Sequence, residues 1–214
     1  MKLAWDKTGE RLYETGVYRV VLYKNRAKGS PWNGVSGITE SPSGAEPTAL
    51  YANNAKYVTL MSAEELGLTI EAYTYPKEFE VCDGSAELSE GVTIGQQDRE
   101  HFGFSYRSLV GNDESGNNYG YKLHLVYDCL ASPSEKNRST VNDSPDVSPF
   151  SWEVSTTPVE VEVEGKNYKP SAMLTIDSTK IPAAKLKLIE DKLYGTASEQ
   201  PTLPLPNEIL ELLK

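Results

Sequence analysis

Alternation of apolar and polar residues dominates the first three quarters of the chain. It is most regular over residues 67–75 and over residues 159–164, where valine and glutamate alternate without a break. Successive side chains of a β-strand point to opposite faces of the sheet, so a period of two predicts half-buried strands. Further strands are expected at residues 16–23, 31–39, 56–61, 101–110, 119–131, 150–155 and 168–177.

Turn-forming residues separate these strands. Residues 111–118 contain only Gly, Asn, Asp, Glu and Ser, so the strands on either side are predicted to form a β-hairpin with a long tip. Residues 40–47 are rich in Gly, Pro and Ser and are predicted to be a loop. Residues 62–65, Ser-Ala-Glu-Glu, are predicted to begin a one-turn helix, because a Glu at the third position after a Ser can complete a capping box.

Near the C-terminus the apolar period changes to 3.6 residues. Residues 181–194 carry an apolar stripe that predicts one amphipathic helix, with Pro182 near its start and Gly195 just beyond its end. The stripe consists of Ala184, Leu186, Leu188, Ile189, Leu193 and Tyr194. The last residues contain three prolines and are expected to be extended, with a short helix at 208–213.

Together these patterns predict a mainly β protein. We expect a β-sandwich or barrel with one flanking α-helix at about 181–194, an extended N-terminal arm over residues 1–16 and a C-terminal extended segment over 196–214. The whole chain, 1–214, is predicted to be a single domain, because its length fits one medium domain and no internal repeat is visible.

Composition excludes several classes of function. The net charge is −10, which argues against a protein that grips nucleic acid, because such proteins need a basic surface. No apolar run is long enough to span a membrane, and the N-terminus does not resemble a secretory signal. Two cysteines form neither a disulfide framework nor a zinc site. The thirteen tyrosines favour strands and interfaces, because tyrosine joins a large apolar ring to a polar hydroxyl.

Candidate chemistry is weak. His101 and His124 lie on the two strands of the predicted hairpin and, with Asp128, could suggest a metal site or an acid–base pair, but a third spaced ligand is missing. Glu71 and Glu153 are the carboxylates that a glycoside-acting enzyme would use. We predict no catalytic residue, no bound cofactor and no metal.

The row Glu160, Glu162 and Glu164 leaves two interpretations open. These carboxylates share one face of a predicted strand, about 7 Å apart, while the intervening valines share the other. The row is either an ordinary solvated face or the wall of a channel through which a polyanion passes.

The chain resembles the major tail proteins, or tail tube proteins, of siphophages that infect Gram-positive bacteria. The likeness runs from Trp5 to Pro206. It is carried by WDKTGERLYETGV at 5–17, WNGV at 32–35, TESPSGAEPTALYA at 39–52, TIEAYTYP at 69–76, GYKLHLVY at 120–127 and FSWEVSTTP at 150–158.

The resemblance implies a tail-tube β-sandwich whose copies form rings, usually of six, that stack into a hollow tube. The partners it implies are further copies of the chain, a tape-measure protein, and the terminator and tip proteins of the tail. DNA would only transit the lumen. The chain would be assembled in the host cytoplasm and reside in the virion tail. Heterologous rings need protruding contacts, and the candidates are Trp5, Tyr13, Trp32, Glu46, Tyr51, Asn112 and Asp113.

Two other functions stay open at this point. The first is a β-sandwich module of a phage tail that binds carbohydrate or a receptor through exposed aromatic residues, Trp5, Trp32 and Tyr51. The second is the glycoside-acting enzyme with Glu71 and Glu153. Assembly into rings or tubes would favour the tail tube over both.

Overall fold

The computed structural model describes residues 3–138, 140, 143, 147–163 and 166–214. Half of the chain is strand and 11% is helical, which confirms the predicted mainly β, sandwich-like fold with a flanking helix. The strands of the main sheet are β1 (Leu12–Lys24), β2 (Ala27–Pro31), β3 (Val35–Gly44), β6 (Glu64–Ala72), β9 (Phe102–Asn112), β10 (Gly116–Ala131), β11 (Phe150–Thr156) and β14 (Met173–Asp177).

In the described residues, the remaining elements are three small two-stranded sheets and two helices. The paired strands are β4 (Pro47–Ala52) with β5 (Ala55–Met61), β7 (Ala86–Ser89) with β8 (Val92–Ile94), and β12 (Glu162–Val163) with β13 (Lys166–Asn167). The helices are α1 (Ala183–Tyr194) and α2 (Pro206–Leu212), and a 3₁₀ turn covers Lys77–Phe79.

The main sheet is antiparallel, in the order β2-β1-β9-β10-β11-β6-β3, and β14 pairs with β10. β10 meets β11 through only three residue pairs, at Cys129–Ala131. On one side of this narrow junction lie β1, β2, β9, β10 and β14, and on the other lie β11, β6 and β3. Tyr106 of β9 donates a hydrogen bond of 2.7 Å to Glu40 of the edge strand β3, which links the two parts of the sheet across the core.

One apolar core fills the space between the two parts of the sheet. Its centre is aromatic: the ring of Phe79 lies 4.5 Å from that of Trp32 and 5.2 Å from that of Trp152. Phe102, Phe104 and Tyr106 point into this core together, as the alternation of β9 predicts.

A second core lies beneath α1. Leu186, Ile189 and Leu193 of the helix pack on Leu123 and Leu125 of β10. The helix ends at Tyr194 as predicted, before Gly195, whose φ of 76° favours glycine, and it begins at Ala183, two residues after the predicted start. The predictions for Ala184 and Leu188 were wrong, because both residues are exposed.

Several local predictions were also wrong. Residues 40–47 are no loop, because β3 runs to Gly44 by pairing with β6, and β4 begins at Pro47. The predicted helical turn at 62–65 is instead the approach to β6 and its first residues. The N-terminal arm is shorter than predicted, because β1 pairs with β9 from Leu12 onward. The strand predicted at 159–164 is reduced to one bridge at Val159 and to β12.

Candidate functional site

A protruding β-hairpin, β4–β5, is the most unusual surface of the molecule. It continues beyond the end of the β3–β6 ladder, which closes at the pair Gly44 and Glu64. Its turn is formed by Asn53 and Asn54, both with positive φ, at 50° and 60°. This is the conformation of a two-residue turn of type I′, which matches the twist of the flanking strands.

Neither face of this hairpin packs on the chain's own core. Residues that pair directly across an antiparallel ladder share a face, so Leu50 with Val58 and Pro47 with Met61 define opposite faces. Beyond a register shift after Leu50, Tyr51 pairs with Lys56. The exposed large apolar side chains of the hairpin are Leu50, Tyr51, Tyr57, Val58, Leu60 and Met61. Tyr51 is 72% exposed and Tyr57 is 77% exposed. The hairpin therefore presents apolar surface in two directions.

The hairpin is also nearly free of charge. Residues 47–61 contain a single charged side chain, Lys56, although 24% of the whole chain is charged. An isolated two-stranded ribbon is marginally stable in water, and apolar patches of this kind mark interaction sites. Exposed apolar side chains and the near absence of charge are typical of an arm that binds another protein surface.

The predicted contact residues in this region, Glu46 and Tyr51, are both exposed on the arm. The sequence did not predict the hairpin itself. The pair Asn53-Asn54 between two apolar runs was the signal that could have identified its turn.

A second exposed region joins the N-terminal segment to the tip of the β9–β10 hairpin. The amide of Gly9 donates to Asp113 Oδ1 at 3.0 Å, and Arg11 lies 3.8 Å from the same carboxylate. Tyr13 donates to Asn117 at 2.8 Å. These contacts hold the segment beside the tip while Trp5, 76% exposed, projects from it.

Two predicted contact residues are buried instead. Trp32 is only 3% exposed, and its indole N–H donates to the carbonyl of Thr74 at 2.9 Å, so it belongs to the core. Asn112 is 4% exposed, and its amide oxygen accepts the backbone N–H groups of Glu114 and Ser115, which shapes the hairpin tip. Neither side chain is available to a neighbour.

A third surface, the outer face of β3, β6 and β11, is polar and acidic. We call it the glutamate face. Its side chains follow from the register of the three strands: Thr39, Ser41 and Ser43 of β3, Glu65, Thr69 and Glu71 of β6, and Ser151, Glu153 and Ser155 of β11, with glycine at 37 and 67. It carries three carboxylates and no lysine or arginine. Glu71 and Glu153 are diagonal neighbours on this open face, not opposed across a cleft.

The row at 160–164 has a more mixed environment. Glu160 and Glu162 are exposed and line an open cavity of about 630 Å³ together with Arg26. The backbone N–H of Glu162 donates to Asn207 at 2.9 Å. Glu164 lies outside the described residues.

The two histidines are not brought together. His101 Nδ1 lies 2.8 Å from Asp128 on the exposed surface, as an isolated pair. His124 pairs with Tyr106 across the ladder instead, and its ring stacks on that of Tyr106 with centroids 4.5 Å apart. Among the described residues, no group of three His, Cys, Asp or Glu side chains could hold a metal ion.

A buried polar cluster around His124 was not predicted. Ser108 Oγ lies 2.8 Å from His124 Nε2, and it also donates to Glu14 at 2.5 Å. The other ring nitrogen, Nδ1, faces Thr175 at 3.3 Å. A Ser-His-acid triad needs its carboxylate on the nitrogen remote from the serine. Glu14 lies on the serine side, so this cluster is not arranged as a triad.

The two cysteines, Cys82 and Cys129, are buried free thiols. Burial raises the pKa of the Cys82 thiol to about 12, so it is protonated and unreactive at neutral pH. No helix in the described part of the chain is both long and apolar enough to cross a membrane.

The exposed apolar hairpin thus favours a surface that binds other proteins. No protein-family model matches the chain, and no curated protein matches it either. The resemblance to tail tube proteins accordingly stays a prediction.

Proposed function

We propose that this chain is a tail tube protein that self-assembles into stacked rings around a lumen through which DNA passes. In this proposal the rings, usually six-fold, form around a tape-measure protein and are closed by terminator and tip proteins. The assembled tube is part of the virion tail. The rest of the proposal concerns how the surfaces of one copy serve such an assembly.

The β4–β5 hairpin carries the proposal. A monomer gains nothing from an arm with six exposed large apolar side chains and a single charge between residues 47 and 61. In a heterologous assembly, one patch of each copy fits a different patch of its neighbour, so a protruding arm is an expected feature. Burial of both faces would supply a hydrophobic driving force, at roughly 25 cal/mol for each Å² removed from water.

The glutamate face is suited to line the lumen. It consists of three carboxylates and short hydroxyl side chains, so it has no cation that would bind DNA and no bulky side chain that would obstruct its passage. In a six-fold ring these carboxylates would number eighteen, and those within the Debye length of the DNA, about 8 Å at physiological salt, would repel it. The Glu160–Glu162 row is less suited, because Arg26 lies beside it.

Polar substitutions in the arm test the assembly. Tyr51→Ser with Tyr57→Ser removes two exposed rings from the hairpin, while Tyr168→Ser removes an exposed ring elsewhere. Sedimentation velocity should give large particles for the wild type and for Tyr168→Ser, and monomer for the arm variant. At a dilution at which none of the three proteins assembles, thermal unfolding should be the same for all of them. Full assembly of the arm variant would contradict the role of the hairpin.

Charge reversal tests the lumen face. Glu71→Lys with Glu153→Lys should make tubes that retain a short DNA duplex when they assemble in its presence, protected from added nuclease. Glu199→Lys, near α1, should leave any bound duplex digestible. Equal digestion with all variants would show that the glutamate face does not line the lumen.

The alternative function, a carbohydrate- or receptor-binding module, has less support. Of the three aromatic residues that motivated it, Trp32 is buried, and Trp5 and Tyr51 lie on separate surfaces, the N-terminal segment and the arm. A glycan site built on aromatic rings would need them on one surface.

A further inference from the structure

A second exposed apolar hairpin, β7–β8, lies in the segment between β6 and β9. Ala86 pairs with Ile94 on one face, which Val92 shares by alternation, and Glu87 pairs with Thr93 on the other; Leu88 lies at a register shift before the pair Ser89 and Val92. Leu88, Val92 and Ile94 are exposed. No apolar partner within the described chain covers this face.

The base of this hairpin is firmly attached to the body. The 3₁₀ turn before it buries Phe79 and is followed by the buried carboxylate of Asp83, which pairs with Arg99 and Lys136. Lys77 lies 2.7 Å from Glu87, which ties the polar face of the hairpin back to the turn. The apolar face is therefore directed outward.

The two apolar hairpins are connected to opposite ends of one strand. β4–β5 enters β6 at Glu64, and the segment that bears β7–β8 leaves it after Ala72. A nine-residue strand spans about 26 Å between its end residues. A copy displaced along the strand direction would bring its β4–β5 hairpin towards the β7–β8 hairpin of its neighbour.

The charges of the two regions are complementary. Residues 77–100 contain seven acidic and two basic side chains, and Glu90 lies at the turn of the β7–β8 hairpin. The only charge of residues 47–61 is Lys56, beside the turn of the other hairpin. No ion pair between described residues involves Lys56 or Glu90.

We propose that the apolar face of β7–β8 is the docking surface for the β4–β5 hairpin of a second copy of this chain, with Lys56 of one copy beside Glu90 of the next. This contact rests on the proposed self-assembly and specifies one of its interfaces. The contact is heterologous, because two different patches meet. Each copy at the end of an assembly therefore keeps one unoccupied patch, to which a further copy can bind.

A charge-swap experiment tests the contact. Lys56→Glu and Glu90→Lys each place like charges together, so each should raise the concentration at which the purified chain assembles, by about three- to tenfold. The double variant K56E/E90K restores an opposite pair in reversed order and should assemble within about twofold of the wild type. Lys169→Glu, an exposed charge reversal elsewhere, is the matched control and should behave as the wild type. Sedimentation velocity across a dilution series measures all five proteins.

The outcomes distinguish a failure of this contact from a failure of the proposed self-assembly. Assembly that is insensitive to both single reversals, or a double variant as defective as the singles, would overturn this contact and leave the proposed function standing. A wild-type chain that stays monomeric throughout the series would contradict the proposed function and this contact together. Leu88→Ser with Val92→Ser provides a second measure, since loss of the apolar face should weaken assembly without changing thermal unfolding.

Discussion

The backbone N–H of Gly9 donates a hydrogen bond to Asp113 Oδ1 over 3.0 Å, joining the N-terminal segment to the tip of the β9–β10 hairpin, 104 residues later in the chain. Arg11 lies 3.8 Å from the same carboxylate. In return, the side-chain amide of Asn112 donates to the carbonyl of Gly9 at 3.2 Å. One carboxylate thus holds an exposed segment whose Trp5 is a candidate assembly contact.

Asp113→Ala should release this segment without unfolding the protein. The hydrogen bond lies at the protein surface, so the loss of global stability should stay within about 1 kcal/mol. Hydrogen exchange at residues 3–11 should become faster, while exchange in β9 and β10 stays unchanged. Asp113→Asn keeps an acceptor oxygen and should retain most of the protection at Gly9. Unchanged exchange in the alanine variant would contradict the tether.

Arg107 should be a major determinant of how α1 docks on the sheet. Its guanidinium lies 4.2 Å from the ring centroid of Tyr121 and 5.0 Å from that of Tyr194. Its Nε donates to the Tyr194 hydroxyl at 2.9 Å, and Nη2 lies 2.6 Å from Glu190 as an ion pair without hydrogen-bond alignment.

Arg107→Met should lower the free energy of unfolding by about 2–4 kcal/mol, because it leaves Glu190 and the Tyr194 hydroxyl without their cation in a largely dry site. Arg107→Lys should recover only part of this, since lysine lacks the planar fork. Urea unfolding followed by circular dichroism measures the difference. A loss below about 0.5 kcal/mol for Arg107→Met would contradict this role.

Sequence patterns predicted the elements whose structure depends on near neighbours. The β9–β10 hairpin and α1 were predicted because their turn and capping residues lie within a few positions of the elements they end. β3 was missed at residues 40–44, because its strand conformation depends on pairing with β6, more than twenty residues away, which overrides the local preference of Ser, Pro and Gly.

The exposure of single aromatic residues could not be predicted either. Trp5 and Trp32 have similar polar neighbours in sequence, yet one is exposed and the other is buried. Trp32 is covered by Phe79 and Trp152, which come from elements far away in the chain. The cluster of Glu14, Ser108 and His124 was missed for the same reason, because three separate strands supply it.

This difference between two tryptophans is directly measurable. Trp32→Ala empties a site in the centre of the aromatic core and should lower the free energy of unfolding by about 3–5 kcal/mol. Trp5→Ala removes an exposed ring and should change it by less than about 0.5 kcal/mol. Chemical denaturation of the two variants compares them, and similar stabilities would contradict the assigned burial.

His124 should make stability depend on pH. Burial lowers the pKa of its imidazole below the ordinary 6.5, and the nearby carboxylates Glu14 and Glu40 offset this only in part. The unfolded chain therefore binds a proton more readily near pH 6 than the folded chain does. By linkage, stability is complete above about pH 6.5 and falls as the pH drops below it.

His124→Gln should remove this slope between pH 5 and pH 7, while His101→Gln should retain it. Protonation of Glu14 does not contribute to the slope between pH 5 and pH 7. Burial raises its pKa, but the hydrogen bonds from Lys122 and Ser108 outweigh that effect and lower it overall, so its contribution is lost only at more acidic pH. Melting temperatures across the pH series provide the test, and an unaltered slope in His124→Gln would contradict the assignment.

The central claim, that this chain assembles into a tube, is tested most directly by negative-stain electron microscopy of the purified protein across a concentration series. The account predicts rings, and at higher concentration tubes, each with a central hole. A uniform field of single globular particles at every concentration would contradict it.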